Sequence, residues 1–130
     1  MVTSLAFHPT DANLLYVTVG GFDQGTPTRP GHLFRTTNAL GASPQWTAVT
    51  GTSNLPHNAA AFDPVDPRVV YVGTDVGLWY TKDGGAHWDH MGPERGLPNV
   101  GVSDVHVHPG TRRVFAFTFG RGVFVLDPGQ

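Results

Sequence analysis

The chain has 130 residues, enough for one domain, with 39% apolar residues, 14% charged residues and a net charge of −2. Only eight residues are lysine or arginine, so we expect no nucleic-acid partner, and the absence of cysteine excludes disulfides and thiolate zinc sites. No apolar stretch approaches the roughly 20 residues that a membrane span needs. Met1–Pro9 lacks the pattern of a signal peptide, which leaves the compartment open, including secretion of a parent protein.

Glycine and proline number 17 and 11, and they separate short runs of β-branched and aromatic residues. This pattern is typical of an all-β protein with many turns. In chain order the runs form three similar segments. The first predicts strands at 4–9, 15–20, 32–36 and 45–49, the second at 60–64, 69–73, 77–81 and 87–91, and the third at 105–109, 114–118 and 122–126.

The three segments repeat at the spacing of β-propeller blades. Pro9, Pro64 and Pro109 take the same place in each segment, 55 and 45 residues apart. That interval fits four short antiparallel strands per blade. We expect a single partial β-propeller over 1–130, with blades at about 1–55, 56–100 and 101–130. The third blade lacks its fourth strand, which gives about 2.75 blades per chain.

An arc of three blades cannot bury the apolar faces at its two ends. The third blade also ends on an unpaired strand edge at Val123–Leu126, which favours pairing with another chain. Propellers have about four to eight blades. Two copies would close a ring of about six blades, so the sequence predicts a homo-oligomer with the dimer favoured.

One turn carries a recognisable motif. Thr81–Trp88 matches the Asp-box pattern Ser/Thr-x-Asp-x-Gly-x-x-Trp, with Thr81, Asp83, Gly85 and Trp88 at its defining positions. We expect the aspartate to accept hydrogen bonds from turn amides and the glycine to supply a positive φ. We expect the tryptophan to pack beneath the turn. These roles are structural and predict no catalysis.

The first segment carries a degenerate copy of the same motif. Thr36 and Asn38 replace the Thr-x-Asp part, Gly41 is retained and Trp46 closes the turn, with three residues inserted. We therefore expect a second turn of the same kind, widened by the insertion.

The Asp-box, the run at 72–79 that leads into it and the ending at 118–126 resemble the Asp-box (BNR) repeat β-propeller superfamily. The likeness is to the C-terminal blades of bacterial members. Sialidases, xyloglucanase-type glycoside hydrolases, sortilin-like receptors and a photosystem II assembly factor belong to it. The resemblance implies the fold over nearly the whole chain and implies no single activity. In such proteins an N-terminal strand of the same chain completes the last blade, and that strand has no counterpart here.

Candidate carbohydrate residues are few. A sialidase would need an arginine triad and a Tyr/Glu pair, but the sole glutamate, Glu94, lies in a turn-like segment. A two-carboxylate glycosidase would use Asp75 and Asp104. The alternative for Asp75 is a structural role in a turn. The alternative for Asp104, which is expected just ahead of a strand, is a role as a cap. Phe22, in the loop at 21–31, is a candidate for stacking on sugar or for a peg into a neighbouring blade.

Histidines suggest a metal as one alternative. His106 and His108 lie on one face of a predicted strand. His8, Asp63 and His108 take equivalent positions, each just before its segment's proline, and these groups could hold zinc or nickel. The alternative is that each side chain caps the turn into the next strand.

These patterns favour a non-catalytic Asp-box propeller module that self-assembles into a closed ring and serves as a scaffold for binding. This interpretation assigns no catalytic residue, metal or cofactor. Two alternatives stay open. One is a piece of a glycoside hydrolase or carbohydrate-binding propeller, and the other is an excised or engineered propeller unit.

Overall fold

The computed structural model describes residues 1–20, 32–49, 52 and 54–127. Within these ranges it contains eleven β-strands and a single 3₁₀ turn at Pro93–Arg95. No helix in the described ranges is long and apolar enough to cross a lipid bilayer. The strands are β1 (Val2–Phe7), β2 (Leu15–Val19), β3 (Leu33–Thr36), β4 (Thr47–Ala48), β5 (His57–Phe62), β6 (Val70–Thr74), β7 (Leu78–Thr81), β8 (Asp89–Met91), β9 (Val102–Val107), β10 (Val114–Thr118) and β11 (Val123–Leu126).

The strands form three antiparallel meanders. Their orders are β1-β2-β3-β4, β5-β6-β7-β8 and β9-β10-β11. Tight connections within the sheets carry glycine where the backbone needs a positive φ. Gly77 (φ 77°) and Gly122 (φ 78°) sit at corresponding turns, between the second and third strands of their sheets.

Registers of the first two strands match from sheet to sheet. Each pair has a shift near the start of its first strand, and the two strands align residue by residue after it. Side chains in the three sheets can therefore be compared position by position. The sets that matter below are Val2, His57 and Val102; Thr3, Asn58 and Ser103; Leu5, Ala60 and Val105; Phe7, Phe62 and Val107; and His8, Asp63 and His108.

The three sheets stack side by side around their first strands. Strand β1 lies against β5, and β5 lies against β9. One apolar cluster fills the space between the first and second sheets and is centred on Tyr16, Phe62 and Trp88. A second cluster joins the second and third sheets around Tyr71 and Val105. Burial of these side chains between sheets holds the arc together.

This architecture is that of β-propeller blades, which confirms the predicted all-β fold with four, four and three strands. Most strand bounds differ from the expectation by one to three residues, and the shift of one strand moves two candidate site residues. Strand β9 begins at Val102, so Asp104 lies inside the strand. The prediction that Asp104 lies ahead of the strand was wrong. The same strand ends at Val107, so His108 lies just past its end and does not share a strand face with His106.

Candidate functional site: inter-blade contacts and open faces

The turn at Thr81–Trp88 is held by a compact set of hydrogen bonds. The Thr81 hydroxyl donates to Asp83 Oδ1 over 2.8 Å and accepts from the backbone amide of Gly85 over 3.0 Å. Asp83 Oδ1 also accepts from the backbone amide of His87 over 2.9 Å. Trp88 Nε1 donates to the Gly85 carbonyl over 3.1 Å, which places the indole under the turn.

The carboxylate of Asp83 is held in its charged form. Its Oδ2 lies against the ring Nδ1 of His87, and backbone and hydroxyl donors surround the other oxygen. The His87 side chain, then its backbone amide and then Thr81 lower the pKa of Asp83 well below its ordinary value. These donors favour the ionised form of Asp83.

The turn at Thr36–Trp46 reproduces two of these bonds with an asparagine. The Thr36 hydroxyl donates to Asn38 Oδ1 over 2.9 Å, and Asn38 Oδ1 accepts from the backbone amide of Gln45 over 2.9 Å. The Gly41 amide donates to the Asn38 carbonyl over 2.9 Å. Trp46 departs from the pattern, because it is 46% exposed where Trp88 is 8% exposed.

Tyr16 joins the first sheet to the Thr81–Trp88 turn of the second. Its hydroxyl donates to the Gly84 carbonyl over 3.0 Å, and its ring meets Phe62 and Trp88 edge to face. Burial, the largest effect, raises the pKa of the Tyr16 hydroxyl and keeps it a donor. The motif therefore stabilises a blade interface as well as a hairpin.

His8, Asp63 and His108 each accept hydrogen bonds from the turn that follows. His8 Nδ1 accepts from the amides of Thr10 and Asp11, at 3.0 and 2.9 Å. His108 Nδ1 accepts from Gly110 and Thr111, both at 3.1 Å, and Asp63 Oδ2 accepts from the amides of Val65 and Asp66. Within the described ranges, no three His, Asp or Glu side chains form a group that could hold a metal ion.

Two of these turn residues also contact the next blade. The His8 ring meets the edge of Phe62 at a centroid distance of 5.6 Å. The buried carboxylate of Asp63 accepts from Arg112, whose Nη2 lies 2.9 Å from Oδ2. Burial by itself raises the pKa of Asp63, but Arg112 and the turn amides outweigh it and lower the pKa below its ordinary value.

The candidate carbohydrate residues Asp75 and Asp104 bond to different partners. Asp75 follows β6, as expected, and its Oδ1 accepts from the side-chain amide of Asn58 over 3.0 Å. Asp104 Oδ2 lies 3.1 Å from His106 Nε2, and its Oδ1 accepts from the Val105 amide over 2.9 Å. Phe22 falls outside the described residues.

A polar bridge crosses each blade interface at the same repeat position. The Thr3 hydroxyl donates to the His57 carbonyl over 2.6 Å, and the Asn58 amide donates to the Val102 carbonyl over 3.0 Å. Ser103 takes this position in the third blade, where its hydroxyl donates to the Phe117 carbonyl of its own sheet over 3.0 Å. The bridge therefore occurs at both interfaces that the chain contains.

A stacked histidine pair lies at the first interface. The rings of His32 and His57 are 4.9 Å apart and nearly parallel. His57 Nδ1 donates to the Leu55 carbonyl, and its Nε2 lies 3.0 Å from the Thr52 hydroxyl. Burial is the main cause that lowers the pKa of His57 to about 4, so its ring is neutral at pH 7.

The first blade leaves one apolar face open, which we term the leading face. Its residues pair across β1, β2 and β3; they are Leu5, Phe7, Leu15, Val17 and Phe34. All of them except Phe7 line an open hollow with Trp46. Leu5 and Phe7 are exposed, whereas Leu15 and Val17 are buried at the bottom of the face. In the second blade the matching face packs against the first. One repeat position shows the effect of this packing, because the side chain of Phe7 is 58% exposed and that of Phe62 is 8% exposed.

The third blade leaves the opposite face open, which we term the trailing face. Its residues pair across β9, β10 and β11; they are Asp104, His106, Phe115, Phe117, Val123 and Val125. Val123 is 50% exposed, whereas Leu78 at the matching position of the second blade is fully buried. Among the described residues, the chain therefore leaves largely exposed both halves of an interface that it forms twice internally.

No protein-family model and no curated protein match the chain. Solved structures do match. The GH74 xyloglucanase from Xanthomonas campestris is 22% identical with a TM-score of 0.66, over 97% of this chain and 22% of that one. The GH74 enzyme of Niastella koreensis is 20% identical with a TM-score of 0.66, over 98% of this chain and 21% of that one.

A third match is YCF48, solved with a D1 peptide bound. It is 19% identical with a TM-score of 0.60, over 99% of this chain and 36% of that one. The chain thus spans about a fifth of the length of the GH74 proteins and about a third of YCF48. Likenesses at this level of identity establish the propeller fold alone.

Several contact residues gave no clear signal in the sequence. Arg112 lies in a turn with a positive φ of 60°, and an arginine in the sequence does not indicate this conformation. His32 and His57 are far apart in the chain and in no common motif. The polar bridge could have been found, because Thr3, Asn58 and Ser103 are all polar at one repeat position.

Proposed function

We propose that the chain is a non-catalytic propeller module that closes its ring with a second copy of itself and serves as a scaffold for binding. The observation that carries the proposal is the pair of uncovered faces. In the second sheet, the face that matches the leading face packs on the first sheet, and the face that matches the trailing face packs on the third sheet. The leading face and the trailing face each need an equivalent partner. A second copy offers both.

The number of blades agrees with this proposal. Three sheets per chain give six in a dimer, within the range of about four to eight that propellers adopt. A cyclic dimer is the commonest closed oligomer. Burial of Leu5, Phe7 and Val123 would add about 25 cal/mol for each Å² of apolar surface removed from water.

We further propose that both turns are Asp-box repeats of the BNR superfamily. The shared hydrogen-bond set supports this, because Thr36–Asn38–Gln45 reproduces the bonds of Thr81–Asp83–His87. In this chain the motif has a structural role, since Asp83 bonds its own turn and Gly84 receives the Tyr16 hydroxyl of the neighbouring blade. Neither turn presents a catalytic pair of carboxylates.

The experiment is to charge the leading face and measure mass by light scattering. Leu5→Lys should convert a dimer into a folded monomer, because an ammonium group would have to be buried against the second copy. Leu40→Lys is the matched control, since Leu40 is an exposed leucine outside the leading face. Equal masses for the two variants would contradict the proposal.

A glycoside hydrolase is the second candidate, favoured by the structural likeness to the two GH74 proteins. Asp75 and Asp104 would be its carboxylates. Hydrolysis of xyloglucan or another β-glucan by the assembled protein, lost in Asp104→Asn, would support this candidate. The scaffold proposal expects no turnover.

A further inference from the structure

We propose that the two copies meet head to tail, leading face on trailing face, and that Ser103 of one copy donates a hydrogen bond to the Val2 carbonyl of the other. This inference rests on the self-assembly proposed above and specifies its geometry. The alternative is a symmetric contact of two leading faces, which would give a dimer without closing the ring.

The polar bridge is the first support. In each internal interface the residue at the Thr3 position donates to the backbone carbonyl at the Val2 position of the next blade. The pair Thr3–His57 makes the bridge between the first two blades, and the pair Asn58–Val102 makes it between the second and third. Ser103 is the next donor in the series, once its hydroxyl turns from the Phe117 carbonyl to the second copy. Val2 is the acceptor position that has no donor from another blade among the described residues.

The turn residues give a second, independent support. His8 meets the edge of Phe62 across the first interface, and Asp63 pairs with Arg112 across the second. His108 stands at the same position in the third blade, with its ring capping its own turn. Phe7 stands at the Phe62 position and is exposed. Head-to-tail docking would place the His108 ring on the Phe7 edge, as His8 lies on Phe62.

A contact between two leading faces explains less. It would cover Leu5 and Phe7 but leave Val123, Val125 and Phe117 in water on both copies. The open edge of β11 would also remain without a neighbour. Head-to-tail docking covers both faces of both copies, and closure then needs no third chain.

Cysteine cross-linking tests the arrangement without background, because the chain contains no cysteine. Val2→Cys and Ser103→Cys are made as separate proteins, mixed, and treated with a short bis-maleimide. Head-to-tail docking predicts cross-linked dimers in the mixture, whereas neither protein should cross-link alone. Phe7→Cys and His108→Cys form a second pair, which covers the case that one variant does not fold.

Leu40→Cys mixed with Ser103→Cys is the matched control and should remain uncross-linked. A dimer by mass that cross-links only in Val2→Cys or Phe7→Cys alone would overturn the head-to-tail arrangement and leave self-assembly intact. A dimer by mass that cross-links in none of the mixtures would overturn it as well. A native chain that is monomeric by mass would instead overturn self-assembly itself.

Discussion

Arg112 of the third blade reaches the buried carboxylate of Asp63 in the second, with its Nη2 2.9 Å from Oδ2 and its Nε within 3.1 Å of both carboxylate oxygens. The same carboxylate caps its own turn through Oδ2. One aspartate thus stabilises a turn and a blade interface together, and its charge is balanced by a guanidinium on the far side of that interface.

Arg112→Ala should destabilise the protein by about 2–3 kcal/mol, because it leaves a buried carboxylate without its counter-charge. Chemical denaturation measures the change. Arg113→Ala is the control, since Arg113 is exposed and makes only a 3.5 Å pair with Asp127; its cost should stay below about 0.5 kcal/mol. Similar losses in the two variants would refute the role given to Arg112.

Two adjacent glycines in the Thr81–Trp88 turn should respond differently to alanine. Both have a positive φ, 74° at Gly84 and 99° at Gly85. A Cβ at Gly84 meets nothing within 4 Å, whereas one at Gly85 would lie 2.9 Å from the Tyr16 hydroxyl oxygen. Gly84→Ala should cost about 1 kcal/mol for backbone strain, and Gly85→Ala more, because it also disturbs the Tyr16 contact. Equal unfolding midpoints would contradict this reading of the turn.

Acid should weaken the fold through His57. Its pKa is lowered to about 4 in the folded chain, mainly by burial, against 6.5 for the ordinary side chain. The unfolded state therefore takes up the proton first, and stability falls as pH drops from about 6.5 to 4, by up to about 1.4 kcal/mol per pH unit.

The test is to compare unfolding free energies at pH 7 and pH 4.5. His57→Gln should be less stable than the native chain at pH 7 but should lose less stability between the two pH values. Leu40→Ala, which alters an exposed residue with no titratable group, should keep the native slope. A native-like slope in His57→Gln would show that another group carries the pH dependence.

Removing the polar pair on the trailing face should tighten the proposed dimer. Asp104 and His106 stand where the second blade carries Ala59 and Ala61, which pack closely against the third blade. In the double variant Asp104→Ala/His106→Ala these polar side chains no longer have to leave water, so we expect about tenfold tighter association, or about 1.4 kcal/mol. Sedimentation gives the dissociation constant, with Asp89→Ala as the control; weaker association in the double variant would argue against burial of this face.

Much of the fold could be predicted because the three blades have similar sequences. The segments around Pro9, Pro64 and Pro109 gave four, four and three strands, and the turn glycines marked where each hairpin reverses. Strand starts were harder. His57 and Asp104 are polar residues inside first strands, where hydrogen bonds and solvent at the strand edge accommodate side chains that pattern alone assigns to a loop.

The contacts between blades were mostly beyond prediction from sequence. Asp63 and Arg112 are 49 positions apart, and nothing in their neighbourhoods indicates that they pair. Their approach depends on how two sheets stack and on a positive φ at Arg112. The internal bonds of the Thr81–Trp88 turn could be predicted because their donors and acceptors lie within one hairpin. The bond from Tyr16 could not, because Tyr16 belongs to another blade.

Equilibrium sedimentation of the native 130-residue chain decides whether two copies of this arc complete one ring. We expect a folded species whose mass rises with concentration to a limit of twice the 13.9 kDa of one chain. A folded chain that sediments with the mass of one copy at every concentration would contradict it.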